Sequence, residues 1–206
     1  LRYRTQEELL GVAREYKRRG LPLDVIVIDF YHWTKFGDWK FDRECWPDPE
    51  GMMKELKEMG MEAAVSVWPS VQMSSENFGE MLANGYLTQV DTGVRMSMRS
   101  ASWTIFFDAT NPEARRYVWE KCKKSYYDAG IRYFWLDAAE PQYPSYLNYG
   151  SEPYRYQMGP HQVVGNLYPQ VFVKGMYDGM REAGEEEILA LVRCAWAGSQ
   201  RYGALV

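Results

Sequence analysis

Leu23-Asp24-Val25-Ile26-Val27-Ile28-Asp29 is the stretch on which the fold turns. Val25 to Ile28 form a continuous β-branched apolar run that follows Pro22 and stops at an acid, the pattern of a short strand buried on both faces. Upstream, Thr5 and Glu8 form a capping box, Leu9, Leu10, Val12, Ala13 and Tyr16 recur at helical spacing, and Gly20 ends the helix. Downstream, Asp48 as N-cap, Pro49 at the first helical position and Gly60 as stop bracket a second helix, and Ala63 to Trp68 reads as the next strand. The alternation then repeats. Asn111 and Pro112 open a helix closed by Gly130, and Ile131 to Leu136 is a strand ending at Asp137. A helix near Leu167 to Arg181 leads to a strand from Ile188 to Val192 that ends at Arg193. Two stretches interrupt the pattern: Pro69 to Thr110, long and irregular with a short helix near Glu76 to Ala83, and a Pro- and Tyr-rich loop running through Pro160.

Helices alternating with buried strands predict a parallel sheet, in either a doubly wound fold or a (β/α)8 barrel. No Gly-rich phosphate loop follows a strand, which removes support for the nucleotide-binding versions. A full barrel takes about 250 residues and eight strands. Four clear strands are present, and Gly203-Ala204-Leu205-Val206 reads as the start of another. The expected architecture is α/β: one domain over 1–206, a partial (β/α)8 TIM barrel of four to five βα units.

Composition narrows the function. A hydrophobic content of 46% supports a sizeable core, and a net charge of −4 with dispersed Lys and Arg argues against nucleic acid as a partner. No apolar run approaches the roughly 20 residues that span a bilayer, no signal peptide opens the chain, and no compartment is indicated. Cys45, Cys122 and Cys194 lie outside any CxxC spacing and do not pair as a framework, and Cys122 reads as core. His32 and His161 are too far apart for a His-rich metal centre, so no metal or other cofactor is expected. The 8 Trp and 16 Tyr suit stacking against sugar faces as well as core packing.

In parallel α/β folds the site gathers at the C-terminal strand ends, which here carry Asp29, Trp68, Asp137 and Arg193. Two carboxylates, an indole and a guanidinium fit glycoside hydrolysis, which needs carboxylates on either side of an anomeric carbon. Arg193, pointing inward from a neighbouring strand, would keep a nucleophilic carboxylate ionised. Each residue also has a plainer reading. Asp29 is equally a first loop residue or a helix cap, Trp68 a hydrophobic lid before Pro69, and Arg193 one half of a structural ion pair. Trp135, Asp137 and Glu140 cluster where a loop begins. Asp108 reads as structural, and Met52, Tyr117 and Trp119 as packing.

The wording of these segments resembles glycoside hydrolase family 31. Phe134-Trp135-Leu136-Asp137-Ala138-Ala139-Glu140 is similar to that family's W-x-D-x-x-E nucleophile segment, and Leu23 to Asp29 to its early strand with a sugar-binding Asp. Trp46-Pro47-Asp48-Pro49, Asp108-Ala109-Thr110-Asn111-Pro112 and Arg193-Cys194-Ala195-Trp196-Ala197-Gly198-Ser199-Gln200 resemble three further motifs in the same order. The resemblance implies that Asp137 attacks the anomeric carbon to form a glycosyl ester, that Asp29 and Arg193 hydrogen-bond sugar hydroxyls, and that Trp68 and Trp135 shape the pocket, with Glu140 beside them. Where the family's α-glucosidases carry D-I-D-Y or D-L-D-Y, this chain has Asp29-Phe30-Tyr31-His32. Phe30 and Tyr31 would make the pocket shallower, as suits a pentose, so the resemblance implies an α-xylosidase acting on oligosaccharides, with α-glucosidase as the alternative. The family's acid/base Asp lies in a W-x-G-D-like segment past the R-S-A-x-x-G-S-Q motif, beyond Val206. The 206 residues alone are therefore expected to be inactive, while the longer parent is expected to be an enzyme, for which a homo-oligomer is one open state. Rival classes are a non-catalytic carbohydrate-binding relative, against which the intact Asp137 segment speaks, a metal-dependent barrel hydrolase, and a purely structural fragment that pairs its open edges.

Overall fold

The computed structural model describes residues 2–30, 32–90, 98–99, 103–140 and 154–206. Helix α1 spans Gln6–Arg18, with Thr5 Oγ1 accepting from the Glu8 N–H at 3.2 Å. The capping box is half made, because the Glu8 carboxylate accepts from the N–H of Arg4 rather than that of Thr5. Strand β1 is Val25–Ile28, α2 is Pro49–Glu58 capped by Asp48, and β2 is Glu62–Val67. Helix α3, Pro112–Cys122, runs on through a π-helical turn at Lys123–Tyr127 into β3, Tyr133–Leu136. Helix α4, Tyr168–Glu182, precedes β4, Ala190–Val192, and β5 is Ala204–Leu205.

These five strands form one parallel sheet in the order β1-β2-β3-β4-β5, so neighbours in space are neighbours in sequence. A doubly wound sheet would reverse its order at a switch point. The unreversed order is the path of a barrel wall, and the doubly wound alternative is excluded.

Strand β1 buries one face rather than two, which corrects the reading of Val25 to Ile28. Ile26, Ile28, Ala63, Val65, Val67, Phe134, Leu136, Ala190 and Val192 pack with Leu9, Leu56, Trp119 and Phe172 in a single core. The alternate positions are open on the outer strands, with Val25 41% exposed, Leu191 39% and Leu205 57%, and closed on β2, where Ala64 and Ser66 are buried. Side chains alternate along a strand, so this second face is the concave one, which a closed barrel would fill.

The stretch from Pro69 to Thr110 is more ordered than its sequence indicated. Ser70–Gln72, Trp103–Phe106 and Met98–Arg99 make a three-stranded antiparallel sheet, and Phe78–Ala83 is helical. Gln89 and Val90 pair with Arg155 and Tyr154, and Arg155 and Tyr156 pair in turn with Pro160 and Gly159. The part of the Pro- and Tyr-rich loop at 141–153 lies outside the described residues. No helix among the described residues is long and apolar enough to cross a membrane.

Candidate active site

The alternation places the site. Asp29, Trp68, Asp137 and Arg193 each follow a strand by one residue and continue the row of concave-face positions: Val25 and Val27, Ala64 and Ser66, Tyr133 and Trp135, Leu191. Val67 pairs with Leu136 and Leu136 with Val192, so Trp68, Asp137 and Arg193 stand level on three adjacent strands. Ile28 pairs with Val65, which sets Asp29 level with Ser66, two residues lower. Trp135 lies in the same row as Asp137, in register with Ser66 and Leu191.

Asp137 is 5% exposed, and its N–H donates to the Val67 carbonyl at 3.1 Å, extending the ladder by one bond. Its Oδ1 lies 3.5 Å from Arg193 Nε and accepts no hydrogen bond among the described residues. The next residue, Ala138, sits in the left-handed region at φ 57°, a costly conformation for a residue with a Cβ. Burial raises the Asp137 pKa above the ordinary carboxylate range; the Ala138 N–H and Arg193 oppose this, and Glu140 and Asp29 add to it.

The Arg193 guanidinium grips Glu140 in a fork, Nε to Oε1 at 2.5 Å and a terminal nitrogen to Oε2 at 3.0 Å. Arg193 lies close enough to favour the ionised form of Asp137, but its fork goes to Glu140 and its pull on Asp137 is outweighed by burial. Burial is the largest influence on Glu140 and pushes its pKa up, but the Arg193 hydrogen bond, a backbone N–H and the Arg193 charge together outweigh it and keep the carboxyl below its usual range.

Aromatic rings line the adjoining side. The Phe30 and Trp68 centroids are 5.1 Å apart, Phe36 and Trp68 5.6 Å, and Arg2 lies 4.3 Å over the Phe30 ring. Trp39 Nε1–H donates to the Trp68 carbonyl at 3.0 Å, and Trp39 itself adopts φ 45°. Ser66 Oγ and Trp68 Nε1 are buried, like Asp137 Oδ1, without a hydrogen-bond partner among the described residues. Tyr31 lies outside the described residues. Asp108 is held by Thr110 at 2.9 and 2.7 Å and by the Gln157 N–H at 2.6 Å, a pin between two loops. Met52, Tyr117 and Trp119 pack in the core. Among the described residues no three His, Cys, Asp or Glu side chains gather as a metal ion would require.

Sequence reasoning missed Trp39 and Tyr126. Nothing in the sequence reports a positive φ at a tryptophan, and Tyr126 is one of many tyrosines until the fold sets it beside the β1 loop.

Residues 1–205 match the glycosyl hydrolases family 31 TIM-barrel domain. The chain belongs to glycoside hydrolase family 31. It is 55% identical to the uncharacterized family 31 glucosidase ORF2 of Pseudescherichia vulneris, spanning 100% of this chain and 38% of that protein. It is 33% identical to alpha-xylosidase A of Aspergillus niger, over 100% of this chain and 31% of that one. Among solved structures it superposes with a TM-score of 0.95 on a GH31 alpha-xylosidase from a soil metagenome complexed with xylose, at 57% identity, covering 100% of this chain and 30% of the other. The chain thus spans between 30% and 38% of the lengths of these family 31 relatives.

Proposed function

We propose that these residues form the nucleophile-bearing part of the barrel of a retaining α-glycosidase that releases terminal non-reducing α-linked xylose from oligosaccharides. The observation that carries the reading is Asp137: a buried carboxylate at the mouth of a barrel wall, level with Trp68 and Arg193 and beside the Phe30–Trp68 rings. Asp137 attacks the anomeric carbon as the glycosidic C–O bond breaks, giving a glycosyl ester that water then hydrolyses. The leaving oxygen needs a proton. Glu140 is a poor donor, because its bond to Arg193 keeps it ionised. The donor is assigned to a carboxyl beyond Val206. Leaving-group protonation contributes about 10²–10⁴-fold, so the isolated 206 residues are expected to be inactive or nearly so.

Asp29 and Arg193 are assigned to sugar hydroxyls, Phe30, Trp68 and Trp135 to the pocket walls, and Tyr31 to the same pocket by its place in the sequence. The buried polar atoms of Ser66, Trp68 and Asp137 leave hydrogen-bonding capacity that a polyhydroxylated ligand and its ordered water can use. The name of the 55% identical relative favours α-glucosidase as the competing reading. The xylose-bound structure at 57% identity and the bulky Phe30 favour a pentose.

The test is kcat/KM for an aryl α-xyloside and an aryl α-glucoside on the full-length protein carrying these residues, with the first-formed anomer read by NMR. Preference for the xyloside with release of the α-anomer is expected. A glucoside preference transfers the assignment to α-glucosidase, and release of the β-anomer contradicts retention.

A further inference from the structure

His32 is one of the most enclosed polar residues in the chain, at 0% exposure, and the assignments above give it no role. Its Nδ1 lies 3.0 Å from the backbone carbonyl of Asp29, and its Nε2 2.8 Å from the Tyr126 hydroxyl. A carbonyl can only accept, so Nδ1 carries the proton, Nε2 is the acceptor and Tyr126 donates to it. Three rings fix the imidazole plane: Trp33 at 4.7 Å and 67°, Tyr126 at 5.3 Å and 69°, and Phe41 at 5.3 Å and 55°. The His32 carbonyl is pinned as well, accepting from the Asp42 N–H at 2.7 Å.

The two ends of this link belong to different parts of the site. Asp29 and Phe30 follow β1, and the Phe30 N–H donates to Asp29 Oδ1 at 2.8 Å, so holding the Asp29 backbone also orients its carboxylate. Tyr126 belongs to the π-helical turn before β3, and its carbonyl accepts from the Ile131 N–H at 3.1 Å on the approach to the strand that ends at Asp137. A π-helical turn inserts one extra residue into a helix and recurs at functional sites.

We infer that His32, clamped between the Asp29 carbonyl and the Tyr126 hydroxyl, is a positioning residue that sets Asp29 and Phe30 relative to Asp137. The inference rests on the glycosidase reading. The imidazole touches no substrate; it acts through the Asp29 loop.

Asparagine places its amide nitrogen near the position of Nδ1, and glutamine near that of Nε2, so the pair separates the two bonds. In the full-length protein, His32→Asn is expected to keep the tether to Asp29 and to retain kcat/KM for the aryl α-xyloside within about threefold, since one lost neutral hydrogen bond is worth about a factor of ten or less. His32→Gln loses that tether and is expected to lower kcat/KM about tenfold, mainly through KM. Tyr126→Phe, which removes a single hydroxyl and is the variant expected to fold most readily, is expected to fall between them. ¹⁵N NMR of the wild type supplies a readout independent of turnover, with His32 expected as the Nδ1–H tautomer. Equal losses in the Asn and Gln variants that track their melting temperatures would reduce His32 to a structural residue and overturn the inference, as would unchanged kcat/KM in folded His32→Gln or an Nε2–H tautomer. Absence of turnover by the wild-type protein overturns the glycosidase reading, and this inference with it.

Discussion

Arg193 lies 3.5 Å from Asp137 and in a two-bond grip on Glu140, so one cation serves two carboxylates. Removing it deprives both ionised forms of a favourable charge, and both pKa values move up. Arg193→Gln is therefore expected to shift the acid limb of the kcat/KM profile of the full-length protein to higher pH, with Arg193→Lys returning it part-way; an unmoved limb would show that Asp137 does not sense Arg193. His32 makes a second pH prediction, on stability. Burial lowers its pKa from the ordinary 6.5 to about 4, against an unfolded chain that protonates near 6.5. The unfolded state binds more protons below pH 6.5, so this contribution is whole above that value and is lost as the pH falls toward 4, by an amount on the order of 3 kcal/mol. Melting temperature against pH is expected to fall less steeply over this window in His32→Asn than in wild type. Parallel curves would mean that His32 does not enter the protein neutral.

Helices α3 and α4 meet where glycine permits it. A Cβ at Gly179 would lie 2.4 Å from the Trp119 indole, whereas one at Gly11 in α1 would meet nothing within 4 Å. Gly179→Ala is expected to destabilise by about 1–3 kcal/mol through overpacking, and Gly11→Ala to stabilise by about 0.5–1 kcal/mol through helix propensity. Denaturant melts of the two variants check both signs, and a neutral Gly179→Ala would mean that the indole moves aside freely. The elements themselves were largely legible, because Thr5, Asp48 and Asn111 bond to helix N–H groups as their types predict. The antiparallel sheet within Pro69–Thr110 was not legible, since its strands of two to four residues are too short to show a period of two. Burial of β1 was misread for a related reason: a β-branched run says that a strand is apolar, not that both faces are covered.

The whole sheet presents five strands of a wall whose concave face remains partly open at Val25, Leu191 and Leu205. That face carries the candidate site residues at its C-terminal rim, and that Trp68, Asp137 and Arg193 stand together there was legible from strand ends alone. The fork between Arg193 and Glu140 was not, because these two are separated by 53 positions and only the β3–β4 register brings them together. The same geometry bears on which protein must be tested, since the proton donor is assigned beyond Val206. The decisive measurement is mass spectrometry of the labelled peptide after treatment with a 5-fluoro-α-xylosyl fluoride, comparing the full-length protein with the 206-residue chain. Covalent label on Asp137 of the full-length protein, with little or none on the isolated chain, is the expected result. Turnover of xylosides with the label on another residue, or with inverted product, would contradict the assignment of Asp137 as nucleophile.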